Sequence, residues 1–297
     1  MSRSPALLGS ALSAALLLAA CGDQPSPTPS GTAPAPADAS AHDAAPPNAT
    51  PANATPANTT PDSGASASDA TASSGNETAD AGGGATEVTS FDHGDPGVLP
   101  PGTGHGVPDP TIWGPGIRFP IKDGPAFANS QVYGHGGGSG PAGTGQCDAA
   151  NFSYPWHDNF CETRAQPNGL CIGNLGHQGQ DIRASTCHPG VHPVVAVADG
   201  TVTHIGSFSL FLTTPDGSRT YRYLHMSHLA VHEGESVSRG QVIGMVDHVY
   251  PPHNATTTHL HFEIKAPVTE SGHTVITFVP PYASLVDAYG RMLAGTP

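Results

Sequence analysis

The hexapeptide Gly176-His177-Gln178-Gly179-Gln180-Asp181 places a histidine and an aspartate four residues apart. Along extended chain these side chains share a side. Gly179 between them permits a tight bend or the close approach of another backbone. A second stretch, Thr258-His259-Leu260-His261-Phe262-Glu263-Ile264, reads as a strand with imidazoles at i and i+2. In a strand these point to one side, and Leu260, Phe262 and Ile264 make the opposite, buried face. Together the two stretches offer nitrogen, oxygen and nitrogen donors. Such a set suits zinc with three protein ligands and a fourth position open for water, as catalysis requires. A closed structural zinc site would take four ligands, usually with thiolates. The helical zinc-protease motif H-E-x-x-H is absent.

A third histidine joins them. Tyr221, Tyr223 and His225 alternate along one expected strand with Leu224 facing the other way, so His225 could reach the same ion from a neighbouring strand. The competing reading is a strand-edge histidine near a turn. The chain has 17 His against 10 Lys and Arg. Most of the others carry no partner pattern: His42, His93 and His105 lie in or beside a linker, and His188, His192, His204, His232 and His273 read as surface or satisfied histidines. Asn129, Asn151 or His135 could supply a fourth ligand in a latent form, with nothing to choose between them.

The elements that must position these residues are mostly strands. Pro193 to Ala198, Thr201 to Ile205, Ser207 to Thr213, Thr220 to His225, Val242 to Val246 and His259 to Ile264 are separated by turn signals such as Asp199-Gly200 and Pro215-Asp216-Gly217. Tight turns imply antiparallel pairing and a mainly β domain. One helix is expected, Tyr282 to Leu293, with Leu285, Ala288, Tyr289, Met292 and Leu293 at helical spacing after Pro280-Pro281.

Taken in order, His177-Gln178-Gly179-Gln180-Asp181, Tyr223-Leu224-His225 and His259-Leu260-His261-Phe262 resemble the lysostaphin-type, LytM-like zinc metallopeptidases of the lysostaphin/beta-lytic class. Pro193 to Val202 and Gly240 to Gly244 look like that family's core strands and turns, so the resemblance covers about residues 170 to 265. It implies an antiparallel β-sheet metallopeptidase domain of the duplicated hybrid motif type, with one C-terminal helix here. It also implies hydrolysis of peptide bonds in peptidoglycan crosslinks. Carried over, His177, Asp181 and His261 would ligate Zn²⁺, His259 would be the catalytic base, and His225 the second catalytic histidine, stabilising the oxyanion with the metal. The rival reading is a catalytically inactive envelope lipoprotein that binds cell wall or activates another hydrolase.

The rest of the chain bounds the setting. Arg3, an apolar run from Ala6 to Ala20, and Cys21 match a secretory signal too short to span a bilayer, which takes roughly 20 apolar residues. Leu18-Ala19-Ala20-Cys21 looks like a bacterial lipobox, with residues 1–21 as signal and Cys21 as the lipidated residue. Residues 22–117 are rich in Ala, Pro, Ser, Thr and Gly. They hold no Lys or Arg and carry most of the −14 net charge. Such a segment buries too little apolar surface to offset its chain entropy, so it reads as a disordered tether. Residues 118–297 are then one metallopeptidase domain. No Lys/Arg cluster suggests nucleic acid as a partner. The expected partners are peptidoglycan or another peptide substrate and, through Cys21, a membrane. The protein is expected as a monomer in the bacterial envelope, in the periplasm or at the cell surface.

Cys147, Cys161, Cys171 and Cys187 form an even set without C-x-x-C spacing, which in an exported domain reads as two disulfides. Three pairings are open. Sequential pairing would close two loops of similar size, worth roughly 3 kcal/mol each, and clamp Gly176 to Asp181 at both ends.

Overall fold

The computed structural model describes residues 90–250 and 256–297. The signal, the lipidation candidate Cys21, His42 and the tether up to residue 89 lie outside the described residues.

The strands in chain order are β1 (Phe127–Ala128), β2 (Gln180–Arg183), β3 (Pro193–Val195), β4 (Gly200–Ile205), β5 (Ser209–Thr213), β6 (Thr220–Leu224), β7 (Met226–Ser227), β8 (Ser236–Val237), β9 (Val242–Val246), β10 (Leu260–Glu270) and β11 (His273–Val279). One sheet runs β1-β2-β10-β6-β5-β4-β8, with β11 paired to β10, and a second runs β3-β9-β7. Every pairing within them is antiparallel, as the tight turns require. The expected helix forms as α1 (Tyr282–Leu293) and buries Tyr282, Leu285, Ala288 and Tyr289.

Register decides which residues meet. Phe262 lies opposite Tyr223, and Ile264 opposite Tyr221, in the β10/β6 pair. Leu210 and Leu212 of β5 continue those two rows. Together they make the buried face, each 2% exposed or less. The alternate rows belong to the other face. His261 lies opposite both Asp181 of β2 and Leu224 of β6, and Glu263 lies opposite Arg222. Period-two alternation thus separates the apolar core from a polar face carrying the site candidates.

Packed chain begins upstream of the expected boundary at residue 118. Phe91 meets Trp156 edge-on at 4.5 Å and Tyr289 of α1 at 4.8 Å. The backbones of Asp92 and Gly94 bond Trp156, and Gly97 N–H donates to Asp158 at 2.7 Å. A few large apolar residues in a Gly- and Pro-rich setting suffice, because each docks on an aromatic of the domain rather than on its own neighbours.

The bridges are Cys147–Cys187 and Cys161–Cys171, nested rather than sequential. Paired backbone bonds between Cys161 and His177 and between His177 and Glu162 bring residue 161 against the start of the hexapeptide. A Cβ on Gly176 would stand 2.7 Å from Cys171 Sγ, so that bridge backs the hexapeptide instead of bracketing it. The bridges span 40 and 10 residues, and chain entropy assigns them about 4 and about 3 kcal/mol respectively. Urea unfolding of the double-alanine variants should therefore show the larger loss without Cys147–Cys187. The reverse order would place the stabilisation in native packing around Cys161–Cys171.

Candidate metal centre

His177, Asp181 and His261 converge. His177 Nε2 lies 2.9 Å from His261 Nδ1. Asp181 Oδ1 lies 3.2 Å from the former and 3.0 Å from the latter. Among the described residues this is the one group of three or more His, Cys, Asp or Glu able to share an ion. Two features of the sequence bring it about. Asp181 and His261 are direct cross-strand partners, and Gly179 lets β10 pass close by. A Cβ on Gly179 would stand 2.3 Å from the Phe262 carbonyl oxygen, so the glycine serves close approach.

Hydrogen bonds on the far side of each ring assign the protons. His177 Nδ1 donates to the Asn159 carbonyl at 2.9 Å. His261 Nε2 donates to Glu263 at 2.8 Å, and Glu263 is held by Arg222 at 2.8 Å. Carbonyl and ionised carboxylate only accept, so neutral His177 and His261 each aim a bare nitrogen at the shared point. Asp181 Oδ1 adds a third lone pair. Tetrahedral zinc with bonds of roughly 2.0–2.1 Å would hold its ligand atoms roughly 3.3 Å apart. The observed 2.9–3.2 Å separations and the donor types fit such an ion.

Charge at the centre follows the same logic. Burial opposes ionisation of Asp181, yet the adjoining His177 and His259 hold its carboxyl well below the usual range. Burial likewise opposes a charged His261, but bonds to Asp181 and Glu263 hold its imidazole up to about 9. The surroundings stabilise positive charge at this point, whether it arrives as a proton or as a metal.

Two more imidazoles face the group. His259 Nδ1 donates to the Thr257 carbonyl at 2.6 Å, and its Nε2 lies 3.4 Å from Asp181 Oδ1. His225 Nδ1 donates to the Val249 carbonyl at 2.9 Å, and its ring centre is 4.6 Å from that of His259. Both therefore present a bare Nε2 when neutral. His225 does not continue the alternation of Tyr221 and Tyr223. Those tyrosines are in the core, and simple period two would send His225 there as well. Its φ of 63° ends β6 and turns the ring to the polar face. Burial first, then the neighbouring His259 and His261, hold its pKa well below the usual histidine range.

Several contributing residues were not read from the sequence. Asn159 grips Asp181 twice: its Nδ2 donates to Oδ2 at 2.9 Å, and its Oδ1 accepts from the Asp181 N–H at 3.2 Å. Gln131 accepts from the Thr257 hydroxyl, and Gln146 from the Thr258 N–H, both at 2.5 Å, fixing the segment that leads into His259. Glu263 alone had a sequence signal, two residues after His261 on the same face. Asn129, Asn151 and His135 bond instead within their own loop, Asn129 Nδ2 to the Asn151 carbonyl and Asn151 Nδ2 to the His135 carbonyl. None of the three lines the cleft of about 290 Å³ that opens on the metal candidates.

Ligands must lose their protons to take a metal. With His261 held up to about 9, apparent zinc affinity should rise about tenfold per pH unit from pH 6 to 7.5. Competition with a chromophoric chelator measures this. A flat profile would mean that no proton is displaced and that His261 is not a ligand.

Residues 175–274, about a third of the chain, match peptidase family M23. None of the curated proteins matches the chain. Among solved structures, a candidate glycyl-glycine endopeptidase LytM from Ruminococcus gnavus is 22% identical with a TM-score of 0.37, over 60% of this chain and 62% of its own. This chain thus spans less than two thirds of that protein. The catalytic domain of lysostaphin from Staphylococcus simulans is 25% identical with a TM-score of 0.29, over 40% of this chain and 89% of its own. A zinc-containing peptidase from Vibrio cholerae is 24% identical with a TM-score of 0.28, over 40% of this chain and 34% of its own. The stretch that matches peptidase family M23 holds His177, Asp181, His225, His259 and His261.

Proposed function

We propose that this chain is a zinc metalloendopeptidase that hydrolyses peptide bonds in peptidoglycan crosslinks. It would act in the bacterial envelope, with residues 1–21 as export signal, Cys21 as the lipid-bearing residue and the stretch up to residue 89 as its tether. One observation carries the reading: three lone-pair donors meet at a point that two further imidazoles face, inside an M23 domain. The disulfides agree with an exported protein.

His177, Asp181 and His261 would hold the zinc, which would supply a Lewis acid for the scissile carbonyl and for an attacking water. His259 takes the proton from that water. Its Nδ1 is committed to Thr257, so its Nε2 is free to accept, and Asp181 beside it stabilises the imidazolium that forms. His225, whose Nδ1 is likewise committed, starts as an acceptor. It can donate to the oxyanion or the leaving amine only after it has gained a proton, the one that His259 took from the water and that leaves His259 neutral again. Its depressed pKa makes that proton easy to pass on.

Mass spectrometry of fragments released from isolated peptidoglycan tests the activity. Fragments should carry new peptide termini, and chelation should stop their release until zinc is restored. His259→Ala should lower the rate by about 10²–10⁴ with zinc content unchanged. A fully active variant would remove His259 from the chemistry, and a digest without new termini from the full chain would support a wall-binding protein instead. His225 is neutral well into the acid range, so rate lost on acidification should follow the loss of zinc as His261, held up to about 9, keeps its proton. A rate that climbs down to pH 4 contradicts this. Gln146→Leu should lower kcat about tenfold at unchanged zinc content, whereas Gln146→Glu, which keeps the acceptor for Thr258 N–H, should not.

A further inference from the structure

The lining of the cleft mixes apolar and polar side chains. Leu224 and Tyr250 line it together with Arg164, Gln166 and Gln178. Among the described residues lining it, Arg164 is the one Lys or Arg, in a domain (residues 118–297) with 9 Lys or Arg against 13 Asp or Glu. An acidic chain repels an anionic substrate unless its cleft offers a local cation.

Arg164 is fixed from behind. Its Nη2 donates to the buried Glu162 carboxylate at 2.6 Å, and its Nη1 to the Thr163 carbonyl at 3.1 Å. Glu162 in turn accepts the His177 N–H on its backbone oxygen at 2.9 Å. The guanidinium is thereby tied to a metal candidate, with Nη2 3.9 Å from Asp181 Oδ2. The loop carrying it is closed by the buried bridge Cys161–Cys171, whose half-cystines are 4% and 5% exposed. A guanidinium has five N–H donors in a planar fork, and these bonds use two. Arginine and carboxylate often meet through two parallel bonds. Here the contact uses one nitrogen, and the remaining donors belong to a side chain that lines the cleft.

We propose that Arg164 is a specificity-determining residue that receives a carboxylate of the peptide substrate beside the scissile bond. This rests on the peptidase reading above and narrows it to peptides carrying a free side-chain or terminal carboxyl group near the cleaved bond. Leu224 and Tyr250 of the same lining would offer that peptide apolar contact.

Full chain is assayed on isolated peptidoglycan, either untreated or with its peptide carboxylates converted to amides by carbodiimide and ammonium chloride. Wild type should digest the amidated wall about 10- to 100-fold more slowly in kcat/KM, the worth of charge-assisted hydrogen bonds. Arg164→Gln should lose a similar factor on the untreated wall and show no further loss on the amidated one. Arg164→Lys should keep part of the preference, and added salt should shrink it for the wild type. Equal wild-type rates on both walls would overturn the assignment while leaving the hydrolase reading intact, and this arm needs no variant. Arg164→Gln that is folded and still discriminates would overturn it as well, placing Arg164 as a counter-charge for Glu162. If wild type releases no new peptide termini from either wall, the hydrolase reading fails and this assignment falls with it.

Discussion

Three lone pairs aimed at one point repel each other unless something positive sits between them. Bulk water screens that repulsion little here, because His177, Asp181 and His261 are 5%, 2% and 7% exposed. The arrangement persists because other bonds fix each donor from its far side. Asn159 holds His177 and Asp181, while Glu263 with Arg222 holds His261. The outer partners decide which ring nitrogen carries the proton, and so which one is free to bind. Binding of a cation is favoured because the cost of gathering the donors is met during folding, by the bonds that surround them.

The same device recurs one step out. His225 and His259 each commit Nδ1 to a backbone carbonyl, from Val249 and from Thr257. All four histidines around the centre thus have one nitrogen assigned by the scaffold and one turned inward. His261, one of the metal candidates, is buried between the carboxylates of Asp181 and Glu263, which favour positive charge. His225 has other imidazoles for neighbours, and these with burial press it towards neutrality. Position relative to Asp181 and Glu263 separates the metal candidate His261 from His225, although the side chains are chemically identical.

How much of this could be read beforehand follows from the range of each interaction. The face of β10 was legible because period two is local: His261 on one side and Phe262 on the other need no knowledge of any partner strand. The span of α1 was legible for the same reason. His225 was expected at the site by an alternation that its φ of 63° breaks, since a single left-handed residue leaves no trace in residue spacing. Disulfide pairing depends on which loops pack together, and nesting appeared only with the contact between Cys161 and His177. Asn159 and Arg164 lie upstream of every motif that carried the resemblance. Composition concealed the packed start at residue 90, because Phe91 counts little in an average but much against Trp156 and Tyr289.

That upstream segment explains why the domain is larger than its family match of residues 175–274. The match contains the metal candidates and both further histidines, yet not what orients several of them. Asn159, Gln131, Gln146 and Arg164 all come from before residue 175. The placement of Asn159 depends on Trp156, which donates to the Ala126 carbonyl at 2.8 Å and stacks on Tyr289 of α1 at 4.5 Å. Tyr282 of α1 also donates to the Trp156 carbonyl at 3.0 Å. Two residues on, Asp158 binds the N–H groups of Gly97 and Phe160, and Asn159 between them is left aimed at Asp181. The C-terminal helix therefore reaches the centre through an aromatic stack and three residues of chain. Apolar burial, which has no direction of its own, is converted into the angle of one carboxamide because tryptophan fixes the backbone that carries it.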